Sequence, residues 1–417
     1  MNIPASKPRE LVVNARAYRF PGVPTVVVCI DGSAPGYIES AIARGLAPNF
    51  VRLLRGGANL RALSVIPSFT NPNNISIVTG APPAVHGIAG NYFYDAGTGQ
   101  EVMMNDARFL RAPTILSAFH RAGATVGVVT AKDKLLTLLA DGLDMSQGRA
   151  IAFSAEKADR ATRGANGIDA VPDFVAMPVP DVYSASLSEF VLAAGVAILK
   201  RYRPDLMYLS TTDYVQHAAA PGSEMANAFY AMMDRYVGLL DQAGAVLALT
   251  ADHGMNAKSR ADGTPDVLYL QDWFDARLGA ARARVILPIT DPYVAHHGAL
   301  GGFATVYLPE GTDPAPLLAA LDTTAGVELA IDRAEACLRF DLPPDRIGDV
   351  VVVAARSGVL GSTASRHDLS ALSGPLRSHG GLSEQTVPMI VNRRFAPPPG
   401  RSLRNFDIFD VALNLAQ

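Results

Sequence analysis

The sequence predicts an α/β protein: a mostly parallel sheet with helices on both faces, plus a smaller α+β cap inserted late in the chain. Short, fully apolar runs alternate with stretches whose apolar residues recur at helical spacing, the pattern of a parallel sheet covered on both sides. Acidic residues follow several of these runs, at the carboxyl ends where such sheets place their ligands. From about 256 to 375 the pattern changes to Pro- and Gly-rich pieces with shorter strands.

The run Thr25–Ile30 lies between Pro24 and Asp31-Gly32 and reads as a strand. Pro35 follows, then Ile38, Ile42, Leu46, Phe50, Leu53 and Leu54 at the spacing of one helix. A strand over 125–130 precedes a helical stretch from about Lys134, and a strand over 206–210 precedes a helix over 224–240. A strand over 245–250 leads into Asp252-His253-Gly254, and shorter strands are expected at 304–308 and 350–354. Residues 1–255 and 376–417 are therefore expected to form a catalytic core, with 256–375 as the inserted cap.

Composition narrows the function classes. At 417 residues, 49% apolar and 18% charged, the chain can bury a large core, which excludes disorder and coiled coil. A net charge of −3 provides no electrostatic footprint for nucleic acid, so an anionic substrate needs a local positive site. The first twenty residues are broken by charges and read as neither signal peptide nor anchor, and no later segment is long and apolar enough to span a membrane. Two distant cysteines, Cys29 and Cys337, make no disulfide framework, so a reducing cytoplasm is the expected location.

Four pieces carry the chemistry: Ile30-Asp31-Gly32; Thr70-Asn71-Pro72-Asn73-Asn74; Asp213 and His217 four apart; and Thr250-Ala251-Asp252-His253-Gly254. A fifth, Ser378-His379-Gly380-Gly381, lies near the end. Asp and His are ligands suited to Zn²⁺. Alone, an Asp-His-Gly is as readily a capped turn, and an Asp/His pair on one helix face arises by chance. Thr70 alone could be a helix N-cap.

In this order the pieces resemble the alkaline phosphatase superfamily, in its nucleotide pyrophosphatase/phosphodiesterase branch, over Val26 to about Asn392. The resemblance implies two Zn²⁺ ions per chain, one held by Asp31, Thr70, Asp252 and His253, the other by Asp213, His217 and His379. It also implies Thr70 as nucleophile, where a metal ion and the positive end of a helix dipole both favour the alkoxide. The sulfatase branch has Cys or Ser here followed by Pro and Arg, and this chain has neither the Cys or Ser nor the Arg, which disfavours a sulfatase. Asn91 matches the asparagine that donates to the phosphoryl oxygens. His86 also matches the branch pattern but is expected to serve a turn; His296 and His297 are expected to be surface or packing residues.

The substrate is narrowed by lysine usage. The chain has six lysines among 36 basic residues, and two of the six, Lys132 and Lys134, follow the strand over 125–130. The pair resembles the lysines with which phosphonoacetate-hydrolysing members of the branch hold the substrate carboxylate; nucleotide-cleaving members stack a base on aromatic rings instead. The implied reaction is cleavage of the carbon–phosphorus bond of phosphonoacetate to acetate and phosphate through a phosphothreonine. The implied partner is a small phosphonate, with no nucleic acid or membrane and with a homodimer as the candidate assembly. The alternatives are a phosphodiesterase acting on phosphate esters and a non-catalytic zinc-binding interaction module.

Overall fold

The computed structural model describes residues 7–291, 297–370, 372, 374–397 and 400–416. Its centre is a seven-stranded sheet in the order Ala58–Leu63, Thr386–Val391, Val246–Thr250, Thr25–Cys29, Leu206–Ser210, Val126–Thr130, Ala150–Ser154. Thr386–Val391 runs antiparallel to both its neighbours, whereas the five strands from Val246–Thr250 to Ala150–Ser154 pair in parallel. The expected strand positions hold to within a residue, and the sheet is mostly parallel with helices on both faces.

Alternation along each strand feeds two apolar clusters. Val26, Val28 and Ile30 face one with the long helices Ala185–Tyr202 and Glu224–Gln242; Val27 and Cys29 face the other with Thr70–Thr79 and Ile115–Arg121. These strands are buried throughout, which is why they read as continuous apolar runs.

Register positions the site. Cys29 pairs with both Thr250 and Ser210, and Ser210 with Thr130, so four strand ends lie level. Residues just past them, Asp31, Lys132, Asp213 and Asp252, therefore emerge at one rim.

The single helix expected after Pro35 is instead two, Pro35–Ala43 and Pro48–Gly56. Gly45 sits at φ +73 between them and Pro48 starts the second, so the apolar spacing continued across a break in the backbone. Residues 284–354 supply a separate four-stranded antiparallel sheet, Arg284–Ile286, Phe303–Tyr307, Val350–Ala354 and Val327–Asp332. Its apolar face belongs to the same cluster as Val27 and Tyr208, so the two sheets share one continuous core.

Candidate metal centre and substrate pocket

The rim gathers the sequence-predicted residues. Asp31, Thr70, Asn91, Lys132, Lys134, Asp213, His217 and His379 line one cavity, with Asp252 and His253 fully buried beside it. Gly32, at φ +71, turns the chain after Asp31; a Cβ there would meet the Asp213 Cβ at 3.0 Å. Gly380 does the same after His379, where a Cβ would lie 2.3 Å from the Phe69 ring.

Two groups of ligand atoms stand close enough to hold a metal ion: Asp213, His217 and His379; and Asp31, Asp213 and His253. In all three histidines Nδ1 lies against a backbone carbonyl that can only accept. His217 Nδ1 is 2.8 Å from Arg377 O, His253 Nδ1 2.9 Å from Gly254 O, and His379 Nδ1 2.8 Å from Ser68 O. Each Nδ1 therefore carries its hydrogen, and Nε2 is the atom turned to the carboxylates. His217 Nε2 lies 2.9 Å from Asp213 Oδ2, where either a proton or a cation can bridge them. His379 Nε2 is 3.7 Å from the same oxygen, and its ring stacks on His253 at 3.6 Å.

The residues fit a metal. His253 Nε2 and Asp31 Oδ1 are buried 3.4 Å apart, and neither makes a hydrogen bond. Buried polar atoms without partners are costly, and a cation between them removes the cost. Three buried carboxylates add to the case. Burial, then the charges of Asp213 and Asp252, push Asp31 well above its usual range. Burial and the Asp213 charge lift Asp252 to about 7 despite its bond with Asp31. Burial would raise Asp213 too, but His217, Lys132 and His379 bring it well below the carboxylate range.

A pH prediction follows from Asp31 and Asp252. Their protons compete with a cation, so affinity for a divalent ion rises with pH, through about 7 for the proton on Asp252. Below that, each displaced proton weakens binding about tenfold per pH unit. Competition against a chromophoric chelator at several pH values measures this. A flat profile would mean that both carboxylates are already ionised without metal.

The asparagines of the 70–74 stretch hold this geometry. Asn71 donates its backbone N–H to Asn91 Oδ1 at 3.0 Å, which leaves the Asn91 amide hydrogens for the cavity. Asn73 secures the preceding turn at Val65, Pro67 and Phe69. Asn74 Oδ1 accepts from the Tyr208 and Ser210 hydroxyls, so its Nδ2 donates to Asp252 Oδ2 at 3.2 Å. Gly32 N–H and His253 N–H complete the hold on Asp252. Thr70 is the first residue of the Thr70–Thr79 helix, whose N-cap is Phe69 with no side-chain capping bond.

The lysines reach the cavity from a helix start. Lys132 is the extended N-cap of Asp133–Leu139, Lys134 lies in its first turn, and both line the pocket. Lys134 Nζ is 3.0 Å from Asp291 Oδ2, both side chains buried.

Asp291 and His297 were not among the residues read from sequence as site residues. His297, expected at the surface or in packing, is buried, lines the cavity and lies 4.0 Å from Asp291; His296 falls outside the described residues. Asp291 belongs to no motif, and only its place between two Pro-containing pieces set it apart. His86 is buried, bonding Ser76 Oγ and Ile88 N–H, as expected for a turn.

Known proteins match this arrangement. Residues 25–381 match the family model for type I phosphodiesterase / nucleotide pyrophosphatase. Crystal structures of phosphonoacetate hydrolase from Sinorhizobium meliloti 1021, in complex with phosphonoacetate or phosphonoformate, superpose with a TM-score of 0.95. Sequence identity is 58%, covering 98% of this chain and 99% of that one. Phosphonoacetate hydrolase of Penicillium oxalicum is 58% identical over 41 residues, and an uncharacterized pyrophosphatase/phosphodiesterase of Schizosaccharomyces pombe 35% over 92. Those two matches span 57% and 18% of the curated relatives' own lengths. The fold is alkaline-phosphatase-like, and the chain belongs to the type I phosphodiesterase / nucleotide pyrophosphatase family.

Proposed function

We propose that the chain hydrolyses phosphonoacetate to acetate and phosphate through a phosphothreonine at Thr70, with two Zn²⁺ ions held by Asp31, Thr70, Asp252 and His253 and by Asp213, His217 and His379. The observation that carries this reading is the cavity beside Thr70. Its described lining has two lysines and no Phe, Tyr or Trp, so it suits a small anionic arm better than a nucleobase. Likeness to the S. meliloti enzyme over nearly the whole chain supports the same substrate.

Bound at those ligands, divalent cations would supply Lewis-acid stabilisation of the phosphoryl oxygens and lower the pKa of a nearby hydroxyl. The chain's own groups do the rest. The Thr70 oxygen attacks phosphorus as its hydroxyl proton passes to solvent, assisted by the N-terminal end of its helix. Asn91 donates to a phosphoryl oxygen. As the C–P bond breaks, the carbon keeps the bonding pair, and the charge spreads into the adjacent carboxylate as an enediolate. Lys132 and Lys134 stand where that charge grows, so they stabilise the transition state more than the bound substrate. A proton from solvent then completes acetate, and water cleaves the phosphothreonine to release phosphate.

The test is a ratio. Lys132→Ala and Lys134→Ala each remove a cation that binds the carboxylate, a loss of about 1.5–3 kcal/mol, or about tenfold to more than a hundredfold in kcat/KM. Hydrolysis of a phosphate ester without a carboxylate is expected to fall far less. Equal losses on both substrates would favour the phosphodiesterase reading.

A further inference from the structure

Asp291 lines the cavity from the 256–375 region, in contact with Lys134, with its side chain buried to 9% exposure. A carboxylate at the end of a pocket meant for another carboxylate requires a reason. We infer that Asp291 is a positioning residue for specificity, fixing the Lys134 ammonium where the substrate carboxylate docks. The inference rests on the phosphonoacetate reading and deepens it.

The geometry supports it. Lys134 is a long side chain with a swinging point charge, and it enters from the first turn of a helix with no rigid fork of its own. The 3.0 Å bond to Asp291 Oδ2 fixes one donor of the ammonium and with it the position of Nζ in the pocket lining. Burial lowers the Lys134 pKa, and Asp291 opposes that shift, so the pair helps to keep the ammonium charged inside the protein. Burial would raise Asp291, but Lys134, Lys132 and His297 hold it well below the usual carboxylate range, so it stays an anion.

The opposing effect is repulsion between Asp291 and the substrate arm. Lys132 and Lys134 together outweigh Asp291, and Asp213, whose charge also acts on both lysines, is neutralised by a cation in the proposed site, so a positive balance remains for an arm of one negative charge. Attraction should therefore exceed repulsion, and the net effect of Asp291 should be favourable.

The experiment is a double-mutant cycle on zinc-loaded protein with Asp291→Asn, Lys134→Ala and the double variant. Each is assayed on phosphonoacetate and on p-nitrophenyl phosphate, which has no carboxylate. Asp291→Asn is expected to lower kcat/KM for phosphonoacetate about tenfold more than for the ester. In the Lys134→Ala background it should cost nothing further, because it acts through Lys134. Asp291→Glu, which keeps the charge, should recover part of the loss and covers the case in which the Asn variant folds poorly. Additive losses, equal losses on both substrates, or a gain on phosphonoacetate would overturn the inference. Failure of the parent enzyme to cleave phosphonoacetate would instead overturn the function proposed above.

Discussion

Thr70→Ala is expected to abolish phosphonoacetate hydrolysis while leaving the fold intact. Thr70 opens the Thr70–Thr79 helix, but the helix is capped at Phe69 and takes no capping bond from a side chain. Asn74, which orients Asp252, bonds the backbone carbonyl of Thr70, and alanine keeps that carbonyl. The substitution therefore deletes the proposed attacking oxygen, itself one of the seven proposed metal ligands, and leaves the other six in place. Loss of a nucleophile from an otherwise complete site lowers kcat by about a thousandfold or more, at least about 4 kcal/mol of transition-state stabilisation. Thr70→Ser restores the hydroxyl without the methyl group that orients it, so it should retain part of the rate. Acid quenching during turnover should trap phosphothreonine in the parent and none in the alanine variant. An alanine variant near the parent rate would mean that water attacks phosphorus directly.

Much of this site was legible in sequence because its residues sit next to local signals. Asp31, Asp213 and Asp252 each follow a buried apolar run, and the parallel register that levels Cys29, Thr130, Ser210 and Thr250 brings them together without further information. The lysine pair was legible in part: residues two apart can share a target only outside a regular helix, and Lys132 is extended where Lys134 begins the helix. Asp291 was not legible. Its partner is 157 positions away, by subtraction of residue numbers, and a long-range ion pair leaves no periodicity in either segment. His297 is buried, as a packing role allows, but its place in the cavity beside the distant His217 carried no signal in its own segment. The strands Ala58–Leu63 and Thr386–Val391 were missed for different reasons: the first is a half-exposed edge strand with no apolar run, and the second carries Pro388 inside its buried run, which argues against a strand. The break at Gly45–Pro48 was hidden because helices on either side bury the same face.

Chelation of the purified protein is expected to remove about two divalent cations per chain and all hydrolytic activity, and zinc should restore both. The dissection by ligand says more. Divided as the family resemblance implies, the two ions share no ligand. The structure puts Asp213 in both groups of ligand atoms, with His217 and His379 on one side and Asp31 and His253 on the other. His379→Ala should therefore weaken one site far more than the other, because His379 occurs in one group only and meets the other through ring stacking on His253 alone. Asp213→Asn should also empty that site, since two neutral imidazoles remain there without an anion. It should in addition weaken the remaining ion, by about ten- to a hundredfold if Asp213 orients or neutralises that site from close range. Metal titration of both variants, with elemental analysis of the loaded proteins, measures the difference. If Asp213→Asn leaves the second ion as tightly bound as His379→Ala does, the sites are independent. A weakened second ion would mean that Asp213 couples them, so that neither cation is bound at full strength until the strand ends carrying Asp31, Asp213 and Asp252 are assembled.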